Sequence, residues 1–142
     1  MKKILNLLLV LMLCIGLTAC GSSNDNEVNT KKEDDKPLDL TGTWTSNEEG
    51  MHQEAVINDD TIEVYWISDE DDTKSLYWAG TYTAPTEATD KYSWTSENDT
   101  EKTKGAMLAS SAETKEFKYE NNIISYEASA MGSTKTVKLE RK

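Results

Sequence analysis

Histidine and cysteine are nearly missing from this chain of 142 residues, which has one histidine, His52, and two cysteines, Cys14 and Cys20. A single imidazole excludes a metal site built from several histidines, and it leaves His52 as the only base for a histidine-based triad. The sequence also has no Gly-x-Ser-x-Gly elbow and no glycine-rich loop that could hold a phosphate. We therefore predict a protein that is not an enzyme and uses no cofactor, with His52 at the surface or at a strand edge.

Basic residues are scarce relative to acidic ones. The chain has 15 Lys and Arg against 26 Asp and Glu, which gives a formal net charge of -11. Nucleic-acid binding needs clustered Lys and Arg that neutralise phosphates, so this composition excludes a nucleic-acid partner. Anionic lipid headgroups would also repel the chain. The composition fits a domain that is held off a membrane surface rather than lying on it.

The chain has one long apolar run, from residue 4 to residue 17, which is shorter than the roughly 20 residues that span a bilayer. The run follows Met1-Lys2-Lys3 and ends in small residues, which is typical of an export signal. Its end, Leu17-Thr18-Ala19-Cys20, closely resembles the lipobox of bacterial lipoproteins. This resemblance implies that Cys20 is acylated through its thiol and becomes the mature first residue. The alternative is an ordinary signal-peptidase site.

Acylation of Cys20 would fix the location of the protein. Two acyl chains, at about 0.8 kcal/mol per buried methylene, hold a protein on a membrane, whereas one chain gives only marginal binding. We therefore expect a lipid anchor on the extracytoplasmic face of the cell membrane. Because Cys14 would leave with the signal peptide, no thiol would remain for a disulfide or a thiolate metal site. Without acylation, Cys20 would be a lone free thiol on an exported protein.

The segment that follows Cys20 is polar. Residues 21–37 contain one apolar side chain, Val28. Such a segment cannot bury enough surface to offset the entropy of ordering, so it is predicted to be disordered. The sequence thus divides into three parts: a lipoprotein signal peptide at 1–19, a lipidated N-terminus with a disordered tether at 20–37, and an all-β domain at 38–142.

From residue 38 onwards, apolar and polar residues alternate in short runs between polar turn clusters, which indicates half-buried strands. Residues 106–109 could form one helical turn or a plug. Sequential antiparallel strands with tight turns favour a small up-and-down β-barrel, which removes sheet edges by closing; the alternative is a two-sheet β-sandwich. Eight strands are predicted, at 40–46, 51–57, 61–67, 74–83, 91–97, 114–120, 123–130 and 134–141.

The first predicted strand carries a family resemblance. The run Leu40-Thr41-Gly42-Thr43-Trp44 resembles the opening strand of the calycin families, the lipocalins and the avidin group. Gly80-Thr81-Tyr82 is similar to a later strand of the avidin group. The resemblance implies a lipocalin-like β-barrel with Trp44 across its closed end. No ligand contact of these families can be matched to a residue of this chain.

Aromatic residues are the main candidates for a binding face. Trp66, Trp78 and Trp94 are in phase with the aliphatic residues of their strands, so they are predicted to fill the core. Tyr65 and Tyr77 are out of phase and are therefore the candidates for an exposed binding face. Such a face could bind a carbohydrate or line an apolar pocket.

The acidic run between the third and fourth predicted strands offers a weaker candidate site. Asp69, Asp71 and Asp72 could bind calcium through their carboxylates, helped by Asp59 and Asp60 if the two turns lie at the same end of the barrel. The run lacks the spacing of an EF-hand loop. The alternative is a solvated hairpin tip.

The expected function is that of a membrane-anchored, extracytoplasmic lipoprotein that presents a small β-barrel as a binding module. Its partner would be an envelope or extracellular protein, a glycan or a small apolar molecule, and the domain is expected to be a monomer. One alternative is an envelope hydrolase that uses acidic residues alone, such as Glu54 and Glu63, if their carboxylates lie about 5 to 10 Å apart. The other is a calcium-dependent interaction module through the acidic run.

Overall fold

The structure, a computed structural model, describes residues 36–130 and 132–142. The predicted signal peptide, Cys20 and the tether as far as residue 35 lie outside this range. No helix within the described residues is long and apolar enough to cross a membrane. The elements are β1 (Gly42–Thr45), β2 (Met51–Asn58), β3 (Thr61–Ser68), β4 (Lys74–Thr81), β5 (Lys91–Glu97), α1 (Thr100–Thr103), β6 (Thr114–Glu120), β7 (Ile123–Ala130) and β8 (Ser133–Arg141).

All eight strands belong to one antiparallel sheet with the order β4-β3-β2-β1-β8-β7-β6-β5. The first strand pairs with the last, and Trp44 lies opposite Arg141. Chain neighbours pair everywhere else except between β4 and β5, which stand at the two ends of this order. The sheet curls into a nearly closed barrel. The predicted all-β, up-and-down barrel is therefore confirmed, and the two-sheet sandwich is excluded.

The barrel closes at a seam between β4 and β5. Gly80 on β4 forms an isolated β-bridge with Asn98, and the Asp99 amide donates a hydrogen bond to the Ala79 carbonyl over 2.8 Å. This close approach needs a glycine, because a Cβ on Gly80 would lie 2.4 Å from the carbonyl oxygen of Glu97. At this seam a few contacts pair backbone groups of the two edge strands, whereas a continuous ladder of hydrogen bonds pairs the strands in the rest of the sheet.

Aromatic rings fill the interior of the barrel. Trp94 and Phe117 stack with their ring centroids 5.1 Å apart, and the Phe117 and Tyr126 centroids are 5.0 Å apart. Trp78 and Trp94 are buried and Trp66 is partly buried against the core, so the predicted core role of these three tryptophans is confirmed. The stacked rings leave no room for a ligand between them.

One end of the barrel is closed by the N-terminal segment. We call it the base; it carries the turns after β2, β4 and β6, and residues 36–41 pack across it. Leu40 is buried there, and its carbonyl accepts a hydrogen bond from Trp44 Nε1 over 3.0 Å. The guanidinium of Arg141 lies 4.5 Å from the centre of the Trp44 ring and donates to the Thr41 carbonyl over 2.6 Å. These contacts fix the N-terminal segment over the base.

The opposite end, which we call the mouth, carries the connections after β1, β3, β5 and β7. The longest of them is 98–113. Within it, Asp99 caps α1 because its carboxylate accepts hydrogen bonds from backbone amides of the first turn. Residues 106–109 form a turn closed by a hydrogen bond from the Ala109 amide to the Ala106 carbonyl over 3.2 Å. The helix of this connection therefore lies at α1, earlier in the chain than the sequence indicates.

Candidate functional site

An apolar groove lies at the mouth of the barrel. Among the described residues, the exposed large hydrophobic side chains are Met51, Met107 and Leu108, with exposed fractions of 52%, 98% and 50%. All three line the same groove, which has a volume of about 480 Å³ and has Trp66 and Tyr77 at its floor. Apolar side chains that share one groove offer a partner a continuous apolar contact, which scattered apolar residues do not. The groove is therefore the candidate functional site.

Both walls of the groove are fixed by backbone hydrogen bonds. The Ser110 amide donates to the Tyr77 carbonyl over 2.8 Å, which ties the long connection to β4 just after Met107 and Leu108. Met51 begins β2, which pairs with β3 along its whole length. Since both walls are attached to the barrel, the groove is preformed, as binding sites usually are.

Tyr77 lies inside the barrel with 2% of its surface exposed, so the prediction that it belongs to an exposed binding face is wrong. The cause is a β-bulge between β3 and β4. Val64 pairs with Trp78 and Tyr65 pairs with Leu76, which leaves Tyr77 as an extra residue. The extra residue shifts the alternation of β4 by one position. Tyr77 and Trp78 are consequently both buried.

A lysine lies beneath the floor of the groove. Lys115 on β6 is 9% exposed, and its Nζ donates to the Tyr77 hydroxyl over 3.2 Å and to the Glu127 carbonyl over 3.0 Å. Nζ also lies 5.1, 5.3 and 5.7 Å from the ring centres of Tyr77, Trp78 and Tyr126, which is a cation–π arrangement. Within the described residues Lys115 forms no ion pair with a carboxylate. The Lys115 ammonium is therefore contacted by neutral oxygen atoms and aromatic rings.

Neither Lys115 nor the groove was among the sites predicted from the sequence. A signal for Lys115 exists, because it lies two residues before Phe117 in a strand of clear alternation and therefore points inward with it. Met107 and Leu108 have no such signal, since they lie in a connection without a periodic pattern. Their meeting with Met51, more than fifty residues away in the chain, depends on the closed sheet.

The comparisons with known proteins do not add a function to this geometry. No protein-family model, curated protein or solved structure matches this chain. A barrel alone would not assign a function either, because one fold supports many unrelated functions. The chemistry of the groove and of the other candidate residues is therefore the basis for assigning a function.

Tyr65 lies on the outer face of the sheet and does not line the groove. Its hydroxyl donates a hydrogen bond to a carboxylate oxygen of Glu63, and Lys74 Nζ lies 4.1 Å from the centre of its ring. Partial burial, together with the hydrogen bond to Glu63, raises the pKa of Tyr65 to about 12. Tyr65 and Tyr77 thus lie on opposite faces of the sheet and do not form a common binding face.

The carboxylates of Glu54 and Glu63 also lie on the outer face, and both are ion-paired. Lys74 and Lys142 contact Glu54 at 3.1 and 3.0 Å, and Lys102 contacts Glu63 at 2.6 Å. Partial burial raises the pKa of Glu54, but the hydrogen bonds and charges of its two lysines outweigh this effect and bring the pKa below its usual value. Hydrogen bonds, foremost from Lys102, lower the pKa of Glu63. Glycoside hydrolysis needs a carboxylic acid with a raised pKa, which neither residue supplies.

The acidic turn after β3 lies at the mouth, whereas Asp59 and Asp60, in the turn after β2, lie at the base. The condition under which Asp59 and Asp60 would help to bind calcium, that the two turns lie at the same end of the barrel, is therefore not met. Asp69 is engaged by His52, which is partly buried on β2, with 2.6 Å between Asp69 Oδ1 and the imidazole Nδ1. In the described part of the chain, no group of three or more His, Cys, Asp or Glu side chains is placed to hold a metal ion. The arrangement gives no support to the calcium candidates Asp69, Asp71 and Asp72.

Proposed function

We propose that this protein is a membrane-anchored, extracytoplasmic lipoprotein whose barrel is a binding module, with the groove at the mouth as its binding site. The observation that carries this proposal is the clustering of Met51, Met107 and Leu108, the exposed large apolar side chains of the described residues, in one groove. Exposed apolar surface costs about 25 cal/mol per Å² in water. A partner that covers the groove would recover that free energy.

The filled interior favours binding at the mouth over a ligand carried inside the barrel. Trp94, Phe117 and Tyr126 pack against one another inside the barrel, with ring centroids 5.1 and 5.0 Å apart. The groove itself is lined mainly by methionine, leucine, alanine and aromatic side chains, and its hydroxyl-bearing residues are Tyr77, Ser110 and Ser129. This lining suits apolar side chains of a protein partner better than the many hydroxyls of a glycan.

The strand directions support an anchored arrangement. Residues 36–41 pack at the base, and the groove lies at the mouth. A strand of eight residues, such as β2, rises about 3.3 Å per residue and tilts in a barrel, so the two ends are about 20 to 25 Å apart. A lipid on Cys20 would be joined to the barrel at its base through the predicted disordered tether. The attachment would then leave the groove, at the opposite end, free for envelope or extracellular partners.

Photo-crosslinking in living cells tests the binding site. The photoreactive amino acid p-benzoylphenylalanine replaces Met107 in one chain and, as a control, exposed Thr86 at the base in another. We expect irradiation to give discrete adducts from position 107 and none from position 86. Because Met107 is 98% exposed, its replacement leaves the core intact. A lack of adducts at position 107, or the same adducts from both positions, would contradict the assignment.

Labelling with a radioactive fatty acid tests the anchor. Wild-type protein should incorporate label, and the Cys20→Ala variant should incorporate none because it lacks the acceptor thiol. Label of equal intensity on both chains would remove the lipoprotein assignment while leaving the groove proposal untouched.

A further inference from the structure

We propose that the groove binds a cationic amphipathic peptide segment of an envelope or extracellular protein. This inference rests on the proposed function and adds the chemistry of the partner. It is carried by the charge that surrounds the apolar groove.

The acidic turn after β3 is docked beside one wall of the groove. The Asp69 amide donates to the Gly50 carbonyl over 3.0 Å, and the Gly50 amide donates to Asp69 Oδ2 over 2.8 Å. Met51, an exposed residue of the groove, directly follows Gly50. The two hydrogen bonds therefore hold this turn at the edge of the apolar surface.

Four exposed carboxylates at this edge form what we call the acidic rim: Glu49, Glu70, Asp71 and Asp72. Within the described residues, none of the four forms an ion pair. The lysines near the mouth have other partners. These pairs are Lys135 with Glu48, Lys104 with Glu101, and Lys74 with Glu54. The negative charge of the rim is therefore available to a cationic partner.

An amphipathic helix with basic edges is complementary to this surface. Its apolar side chains, spaced three and four residues apart, would occupy the groove, as helices do in other apolar grooves. Met51 and Met107 suit this role because the unbranched thioether side chain adapts to the shape of its partner. Lys and Arg side chains beside the apolar stripe would meet the acidic rim, which steers association and fixes orientation.

Other occupants fit the charge less well. A second copy of this chain would bring another formal net charge of -11 to the interface, and like charges at an interface are unfavourable. An anionic amphiphile would meet the same repulsion. Lys115 does not reverse this preference, because its ammonium lies beneath Tyr77 and is engaged by the Tyr77 hydroxyl and the Glu127 carbonyl.

Peptide binding to the reconstituted lipoprotein tests the inference. The mature protein is placed in neutral phosphatidylcholine vesicles, and binding of fluorescent peptides about four helical turns long is measured by anisotropy, with protein-free vesicles as background. One peptide contains leucine and lysine in an amphipathic pattern. A second replaces each lysine by glutamate, and a third replaces each leucine by serine.

Two charge variants separate the acidic rim from the total charge of the protein. The rim variant is Glu70→Gln, Asp71→Asn and Asp72→Asn. The matched control removes three charges at the base, by Asp59→Asn, Asp60→Asn and Glu87→Gln. We expect the leucine–lysine peptide to bind the wild type and the control alike and the rim variant about tenfold more weakly, with a smaller difference at high salt. Met107→Ser, at a fully exposed position, should also weaken binding.

Several results would overturn the inference. Equal binding to the rim variant and the base control would remove the role of the rim. Equal binding of the serine–lysine peptide, or no effect of Met107→Ser, would show that the groove is not used. If the leucine–glutamate peptide bound as well as the leucine–lysine peptide, the proposed positive charge of the partner would be refuted, while the groove would remain a binding site. If no peptide bound, this inference would fail, and crosslinking at position 107 would still decide the proposed function.

Discussion

Substitution of Gly80 by alanine is a direct test of how the barrel closes. The added Cβ would lie 2.4 Å from the carbonyl oxygen of Glu97, 2.4 Å from Ser96 Oγ and 2.8 Å from Trp78 Nε1. Ordinary contacts of a Cβ begin near 3.4 Å. Since a backbone oxygen cannot rotate away, β5 must move from β4 by about 1 Å, the difference between these two distances.

The cost follows from the contacts at the seam. Overpacking of a closely packed site costs about 1 to 3 kcal/mol. The movement also stretches the buried hydrogen bond from Trp78 Nε1 to Ser96 Oγ, now 2.9 Å, and each such bond contributes about 1 kcal/mol. We expect a loss of about 3 kcal/mol in the free energy of unfolding, which for a domain of this size lowers Tm by about 10 to 15 °C.

Urea unfolding followed by tryptophan fluorescence measures this loss, because Trp78 and Trp94 are buried on either side of the seam. Gly105→Ala is the matched control. No atom lies within 4 Å of a Cβ at Gly105, so this variant should unfold within about 0.5 kcal/mol of the wild type. If Gly80→Ala unfolded at the same urea concentration as Gly105→Ala, the close approach of β5 to β4 at this glycine would be refuted.

Three further predictions concern stability and titration. Trp44→Ala should lose about 3 to 5 kcal/mol in urea unfolding, because the ring is 1% exposed; wild-type stability would place it outside the core. The pKa of Glu63 is lowered from 4.5 by hydrogen bonds from Lys102 and Tyr65, so the stability that Glu63 adds is present above about pH 4.5 and is lost as the pH falls through the lower folded-state pKa. In Glu63→Gln, the unfolding free energy should therefore fall less steeply as the pH is lowered below about 4.5. The same pH dependence as in the wild type would contradict the ion pair between Glu63 and Lys102. Burial raises the pKa of Tyr65 to about 12, so this residue ionises mainly above about pH 11. Tyr65→Phe should therefore leave unchanged the phenolate absorbance that the protein gains between about pH 9 and pH 11. A loss of one tyrosine's share of that absorbance would contradict the burial.

Local features of the sequence determined most of the strands. The predicted ranges 91–97, 114–120 and 123–130 agree with β5, β6 and β7. Alternation and turn residues act between neighbours in the chain, so they can be recognised without knowing the fold. The turn of Asn121 and Asn122 is an example, because both residues adopt the positive φ that asparagine tolerates and that a tight hairpin requires. The lipobox and calycin resemblances are also properties of short runs, and they stay predictions.

Only the tertiary structure decided which residues share a site. Tyr77 turns inward because β4 has one residue more than β3 across the bulge. The sequence of β4 alone does not show how many residues of β3 lie opposite it. Met51 and Met107 meet because the sheet closes, and Lys115 lies under Tyr77 because the seam brings β4 next to β5, the strand that pairs with β6. Alternation specifies the side of a strand that is buried. The contacts of a buried side chain depend on sheet register and closure, which are set by pairings between residues far apart in the chain.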